Sequence, residues 1–243
     1  MNVVLVPTRN SSALLPPFLS RLSKLEDVDR VVFFVNNSDD DTVDILRKWG
    51  GEVIEQTWPN DYVRRLGSAY GPIAVARQIL LNRARALRAG FALFLDDDIW
   101  VDTADAIDIL QTWGYDIIGG TYARAFPDGI CIAAKWMDPI TRRVSIISDP
   151  YDVIMYPFVV GGGCMGLSKK VIEDRRLNFF PLAGPQWAED FGYCVKARAR
   201  GYTIALDNLV HLTHNLRPSS RELKPWSAGA TLDWKYISDR RIS

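Results

Sequence analysis

The strongest constraint on the fold is an alternation that fills residues 1–120: short apolar runs rich in β-branched and aromatic residues, each followed by a stretch of helical periodicity. Val3–Pro7 reads as a buried strand ending in a turn. Leu14–Leu25 reads as a helix with Pro16 and Pro17 in its first turn, where the missing N–H has no intrahelical partner to lose. Arg30–Val35 is a second strand, Asp41–Trp49 a helix ended by Gly50–Gly51, and Glu52–Gln56 a third strand. Ile73–Leu87 is the strongest helical run, dominated by alanine, leucine, arginine and glutamine and stopped at Gly90. Phe91–Leu95 follows as a strand, Asp105–Trp113 as a helix and Asp116–Gly120 as a strand. Such an order closes as an α/β fold with a doubly wound, mostly parallel central sheet. Ligands of such sheets bind beyond the carboxyl ends of the strands.

After residue 120 the alternation breaks. Residues 121–157 carry scattered prolines, Trp136 and β-like runs such as Val144–Ile147, which predict a hairpin-rich insertion. Lys169–Asp174 and Glu189–Arg200 predict helices, and Thr203–Leu206 a strand. The polar tail, residues 215–243, contains Trp226 and Trp234 and reads as a mobile or lid-like segment.

Length and composition narrow the class. A chain of 243 residues, 48% apolar, suits one large domain with a real core. Its 29 basic and 29 acidic residues cancel, so the basic excess of a general nucleic-acid binder is missing and no nucleic-acid partner is expected. Three scattered cysteines, Cys131, Cys164 and Cys194, make no disulfide framework and suit a reducing compartment. The start, Met-Asn-Val-Val-Leu-Val-Pro-Thr, is not a basic region followed by a long apolar run, and no stretch reaches the roughly 18 apolar residues of a membrane span. The expectation is a soluble, cytoplasmic protein without a transmembrane segment, peripheral membrane contact being left open.

Four segments carry chemistry. The strand Phe91–Leu95 delivers Asp96, Asp97 and Asp98 at its carboxyl end. Asp96 and Asp98 are two apart and so share a side of an extended chain. Three adjacent carboxylates repel one another, and a cation bridging to phosphate oxygens relieves that repulsion; such oxygen ligands suit Mg²⁺ or Mn²⁺. The plainer alternative is an acidic turn that caps the next helix. In Val159–Ser168, the run Gly161, Gly162, Gly163 allows a backbone to approach a ligand closely. It lacks the Gly-Lys-Ser/Thr ending of a Walker loop, and a flexible turn before the Lys169 helix is the alternative. Glu189 and Asp190 open a helix, where the dipole favours carboxylates and where a general base could equally stand. The only histidines are His211 and His214.

Taken in order, these segments resemble the GT-A glycosyltransferases, particularly the family 2-like group, over about residues 2–214. The shared pattern is Pro7-Thr8-Arg9-Asn10 after the first strand, the acidic Ser-containing loop Asn36–Thr42 after the second, Ala76-Arg77-Gln78 on a helix, an Asp-x-Asp motif, a glycine-rich turn, an acidic pair opening a helix and a late histidine. The resemblance implies a nucleoside pocket lined by Pro7, Thr8, Arg9 and Asn36. It implies that Asp96 faces the ribose or sugar, that Asp97 matters less for direct ligation, and that Gly162 and Gly163 lie beside donor sugar and acceptor. Asp98 and a late histidine would hold the metal. The family spacing measured from Asp207 falls on His214, and the alternation Val210, Leu212, His214 agrees. A nitrogen ligand beside carboxylates favours Mn²⁺ over Mg²⁺. In inverting members the second acid of the pair is the base, here Asp190, with Glu189 positioning the acceptor. Arg77 would meet the diphosphate or brace the aspartates; a solvated helix arginine is the other reading. Trp187 would stack on a sugar or pack in the core.

Two positions depart from the family pattern. Asn36 stands where an aspartate usually contacts the nucleobase, which leaves a UDP- or GDP-sugar donor open, and Gln78 replaces an asparagine. The implied division is 1–120 as nucleotide-sugar half, 121–214 as acceptor and catalytic half, and 215–243 as tail or lid. Three rivals stand beside an inverting enzyme: a retaining one, a sugar nucleotidyltransferase and a non-catalytic nucleotide-sugar-binding module. The second would need a glycine-rich loop after the first strand, which Pro7–Asn10 does not supply. The third is disfavoured by the presence of both metal-type and base-type carboxylates. Arg124, Trp136 and Met137 are placed on the acceptor side by position, and no motif names the acceptor: a glycan, lipid, protein or small-metabolite hydroxyl would each fit.

Overall fold

The computed structural model describes residues 1–59, 71–126, 129–132, 134–137, 144–146, 152–180 and 188–215. The first element is β1 (Asn2–Thr8), a run of buried Val and Leu that pairs in parallel with β2 (Arg30–Asn36). Helix α1 (Leu15–Leu22) joins them, burying Leu15, Phe18, Leu19 and Leu22 at helical spacing, with Pro16 and Pro17 in its first turn. It stops three residues short of the expected Leu25. Beyond Leu22 the chain closes tight turns (Lys24 N–H to Arg21 O, Leu25 N–H to Leu22 O) that still bury Leu25, so the apolar spacing outlives the helix. Helix α2 (Thr42–Trp49) ends at Gly50, whose φ of +96° is the left-handed conformation glycine adopts without strain. After β3 (Glu52–Gln56), helix α3 (Gly71–Ala86) leads into β4 (Phe91–Leu95), every residue of which is buried.

The short β5 (Ile99–Val101) precedes helix α4 (Ala106–Thr112) and β6 (Ile117–Gly120). The expected insertion contains hairpins: β7 (Ala123–Phe126) pairs antiparallel with β8 (Gly129–Ile132), and β9 (Ala134–Met137) with β10 (Val144–Ile146). Arg124 lies on β7, and Trp136 and Met137 on β9. There follow β11 (Ile154–Met155), β12 (Val159–Val160), β13 (Cys164–Ser168), α5 (Lys169–Glu173), α6 (Glu189–Arg198), β14 (Ile204–Asp207) and β15 (Leu212–His214). Trp187 and the tail from residue 216 lie outside the described residues.

The main sheet has eight strands in the order β11-β14-β6-β13-β4-β1-β2-β3. Its parallel strands bury both faces, so alternate residues enter two cores. Val3, Leu5, Phe34 and Phe94 face α3, α5 and α6; Val4, Val6, Phe33 and Leu93 face α1, α2 and α4. The sheet is mostly parallel, as expected, with one central departure. The glycine-rich segment is not only a turn before a helix: its second half is β13, antiparallel to both β4 and β6. Cys164, Met165, Gly166 and Leu167 are all buried, and the Cβ that Gly166 lacks would meet the Phe91 ring at 2.5 Å. Because β13 runs backward, its first residues sit at the edge where the parallel strands end, and so deliver the glycines beside the aspartates. Among the described residues no helix is long and apolar enough to cross a membrane.

Candidate functional site

The site is assembled at the carboxyl edge of the sheet, around the end of β4. Its three aspartates take three different environments. Asp97 is turned inward, 4% exposed, and its Oδ2 accepts hydrogen bonds from the hydroxyls of Thr8 and Ser11. It therefore ties the loop after β1 to the loop after β4, and Thr8 gives its hydroxyl proton to that tie. Pro7 is buried beside it within β1, while Arg9 is exposed.

Asp96 faces the opposite way, toward α3. Arg77, expected either at the diphosphate, against the aspartates or in solvent, is fully buried. Its Nη2 donates to Asp96 Oδ1 at 2.7 Å, its Nε to Glu189 Oε1 at 3.1 Å and its Nη1 to the Gly162 carbonyl at 2.8 Å. The solvated reading is overturned: the Ala-rich α3 buries the arginine against the sheet, where a guanidinium persists because each of its three nitrogens has an acceptor. Burial, together with the Asp190 carboxylate, pushes Glu189 up to about 7 despite Arg77. Burial likewise raises Asp96, reinforced by Asp98 and Asp190, with Arg77 opposing.

The glycines at 162 and 163 have a reason that the sequence does not display. A Cβ on Gly162 would lie 2.8 Å from Arg77 Cζ, and one on Gly163 2.6 Å from the Tyr122 hydroxyl. Their bareness makes room for protein side chains as well as for any ligand. Gly163 N–H donates to Tyr122 Oη at 2.9 Å, and its carbonyl accepts from Asp96 N–H at 3.0 Å. Gly162 N–H donates to Asp190 Oδ2 at 3.0 Å. The partly exposed Asp190 thus stands in the first turn of α6, where the helix N-terminus favours its negative charge.

Asp98 completes the set. Its Oδ2 is 3.5 Å from His214 Nε2, with the side chains 26% and 15% exposed. The pairing arises because β15 runs antiparallel to β5 with His214 opposite Ile99, and because Asn215 N–H donates to the Asp98 carbonyl at 2.7 Å. His211 is exposed at the start of this ladder, away from that pairing. Among the described residues no group of three or more His, Cys, Asp or Glu side chains is arranged to hold a metal. Asp98 and His214 offer two ligands, an oxygen and a nitrogen at a separation that one cation can bridge. Such a pair would need further oxygens, of the kind a diphosphate supplies. Asn36, at the end of β2, is 6% exposed, and its Nδ2 is buried with no partner among the described residues.

The model of the family "Glycosyl transferase family 2" matches residues 3–176. The chain belongs to glycosyltransferase family 2. Its fold is that of solved glycosyltransferases. The structure of S. aureus TarS residues 1–349 with UDP is 19% identical, with a TM-score of 0.52, over 84% of this chain and 57% of that one. Glucosyl-3-phosphoglycerate synthase from Mycobacterium tuberculosis, with Mn²⁺, UDP and glucosyl-3-phosphoglycerate, is 16% identical, with a TM-score of 0.53, over 90% and 73% of the two chains. The mannosyltransferase PcManGT from Pyrobaculum calidifontis, with GDP-Man and Mn²⁺, is 15% identical, with a TM-score of 0.52, over 85% and 56%. At these identities the likeness shows the GT-A fold. This family 2 chain therefore spans little more than half the length of some of the structures it matches. No curated protein matches it.

Sequence reasoning did not single out Ser11 or Tyr122. Ser11 follows the Pro7–Asn10 turn and gives no signal of its own. Tyr122 lies just past β6, and only the packing of Gly163 against it reveals its part.

Proposed function

We propose that this family 2 protein is a metal-dependent, inverting glycosyltransferase that moves a sugar from a nucleoside-diphosphate sugar to an acceptor hydroxyl. The observation that carries the reading is the meeting, at one sheet edge, of a metal-type pair, Asp98 and His214, with a base-type carboxylate, Asp190, on either side of the 161–163 turn. A divalent cation held by Asp98 and His214 would offset the negative charge that gathers on the leaving diphosphate, and the nitrogen ligand suits Mn²⁺. Asp190, partly exposed, takes the acceptor proton as that oxygen bonds to the anomeric carbon. The bond from anomeric carbon to diphosphate oxygen breaks on the opposite face, and the electron pair leaves with the diphosphate. Arg77 and Glu189 keep Asp96 and the Gly162 carbonyl in place beneath the reacting centre.

Residues 1–120 form the nucleotide-sugar half in this reading and 121–214 the acceptor half. Pro7, Thr8, Arg9 and Asn36 line the nucleoside side, and the unpartnered Asn36 amide supports a ligand there, because a buried donor without an acceptor is unfavourable. Gly162 and Gly163 border donor and acceptor. The test is titration calorimetry against UDP, GDP and their sugars, with and without Mn²⁺, repeated on Asp98→Ala. The reading expects metal-dependent binding of one nucleotide that the variant loses. Binding of neither nucleotide under any metal would sink it, and donor binding without turnover would leave a non-catalytic module.

A further inference from the structure

We infer that Asp102 is a positioning residue for the proposed cation site, setting His214 against Asp98 from the far face of β15; this rests on the reading of Asp98 and His214 as ligands. A two-stranded ladder three residues long is marginal on its own, so the β5–β15 pair needs anchors. The inner face has them: Leu212 is buried, filling the space that a Cβ on Gly120 would take at 2.7 Å, and the His214 ring stands edge-on to Tyr122 at 5.9 Å. Side chains alternate along a strand, so Thr213 points the other way. There its hydroxyl donates to Asp102 Oδ2 at 2.7 Å. The same carboxylate accepts from Arg21 Nε at 2.9 Å, and Arg21 lies 4.2 Å over the ring of Trp100, the register partner of Thr213. Asp102 N–H donates to the His211 carbonyl at 2.9 Å.

Asp102 therefore grips β15 at residues 211 and 213, and through Arg21 fixes the ladder to α1. None of these groups reaches the cation position, and their effect passes through the placement of His214. Asp102, Arg21 and Thr213 are all partly or fully exposed, so their loss leaves the two cores untouched.

The experiment is a Mn²⁺ titration of the full chain at saturating UDP or GDP, read by calorimetry or by the free-Mn²⁺ resonance signal, with thermal unfolding alongside. Asp102→Ala and the near-isosteric Thr213→Val are expected to weaken Mn²⁺ binding about 10-fold or more, as loss of groups that orient metal ligands does. Thr213→Ser, which keeps the hydroxyl, should restore it, with unfolding midpoints close to wild type throughout. If both Asp102→Ala and Thr213→Val bind Mn²⁺ within about 2-fold of wild type while His214→Ala loses it, the ion site stands and the positioning role is overturned. If His214→Ala binds Mn²⁺ like wild type, or wild type binds none with either nucleotide, the ion site itself fails and takes the role of Asp102 with it.

Discussion

Two sets of carboxylates share the sheet edge, and their surroundings differ. Asp97 and Glu189 are 4% and 5% exposed; the Asp96 side chain keeps 33% exposure but is engaged by the protein all the same: Asp97 accepts from Thr8 and Ser11, and Asp96 and Glu189 share Arg77. Asp98 and Asp190 keep exposure, Asp98 meeting a histidine and Asp190 bonding backbone N–H groups. Neighbours in sequence thus fall into separate classes: Asp96, directly after β4, lies against Arg77, whereas the turn at residues 97–98, closed by Ile99 N–H on the Asp96 carbonyl, carries Asp98 to His214. The first set consists of acids that the protein itself neutralises. The second set keeps lone pairs to spare, which is what a ligand or a proton acceptor requires.

The largest test of this division is Asp190→Asn. The amide keeps an oxygen for one of the two N–H groups, of Gly162 and Phe191, that Asp190 accepts, but cannot take a proton. Release of nucleoside diphosphate from the donor in the presence of acceptor should fall by about 10²–10⁴-fold, with stability lowered by no more than the roughly 1 kcal/mol of one hydrogen bond. Activity within a few-fold of wild type would move Asp190 into the set that merely holds the edge together.

Next is Arg77→Leu, which leaves the buried Glu189 and the partly exposed Asp96 without their shared cation. Removing one side of a buried charge cluster costs about 3–5 kcal/mol, and urea unfolding should show it. Asp98→Ala removes a partly exposed acid beside other acids, and its effect should stay under about 1 kcal/mol. Equal losses in the two variants would erase the distinction between the sets.

A smaller effect comes from Glu189, whose folded-state value of about 7 stands above an ordinary value of 4.5. The folded protein then holds this proton more tightly than the unfolded chain. The stability it adds is complete below about pH 4.5 and is lost as pH rises through about 7, a change of at most about 3 kcal/mol. Unfolding free energy measured from about pH 5 to pH 8 should fall more steeply in wild type than in Glu189→Gln. Parallel curves would mean that Arg77 keeps Glu189 ionised throughout.

Strands β1, β2 and β4 were legible because local pattern and final position agree there, a continuous apolar run becoming a parallel strand buried on both faces, and α2 and α3 carry their helical pattern in their own residues. Strand β13 was not, since Val159–Ser168 is rich in glycine, and glycine reads as a turn unless the Phe91 and Ile118 side chains that fill its missing Cβ positions are known. The ladder β5–β15 was equally hidden, because its strands have three residues each and pair across more than 100 positions. The split among Asp96, Asp97 and Asp98 follows from the same limit. Sequence showed three acids at a strand end, but the burial of Arg77, which separates Asp96 from Asp98, depends on α3 packing against that strand.

The glycine beside Arg77 gives the most local test. A Cβ at residue 162 would come 2.8 Å from Cζ and Nη2 and 3.1 Å from Nε of Arg77. An exposed arginine would swing aside at little cost, but Arg77 is held by Asp96, Glu189 and the Gly162 carbonyl itself. Gly162→Ala must therefore stretch one of those bonds or shift the turn, at about 1–2 kcal/mol, within the range typical of overpacked sites. Because the same turn carries the N–H that meets Asp190, the variant should also lose activity, whereas Arg77→Lys/Gly162→Ala, with a slimmer side chain beneath the new methyl, should recover part of the stability but not the three-way clasp. If Gly162→Ala is neutral in both stability and diphosphate release, the guanidinium is free to move, and Asp96 and Glu189 are then as open to ligands as Asp98 and Asp190.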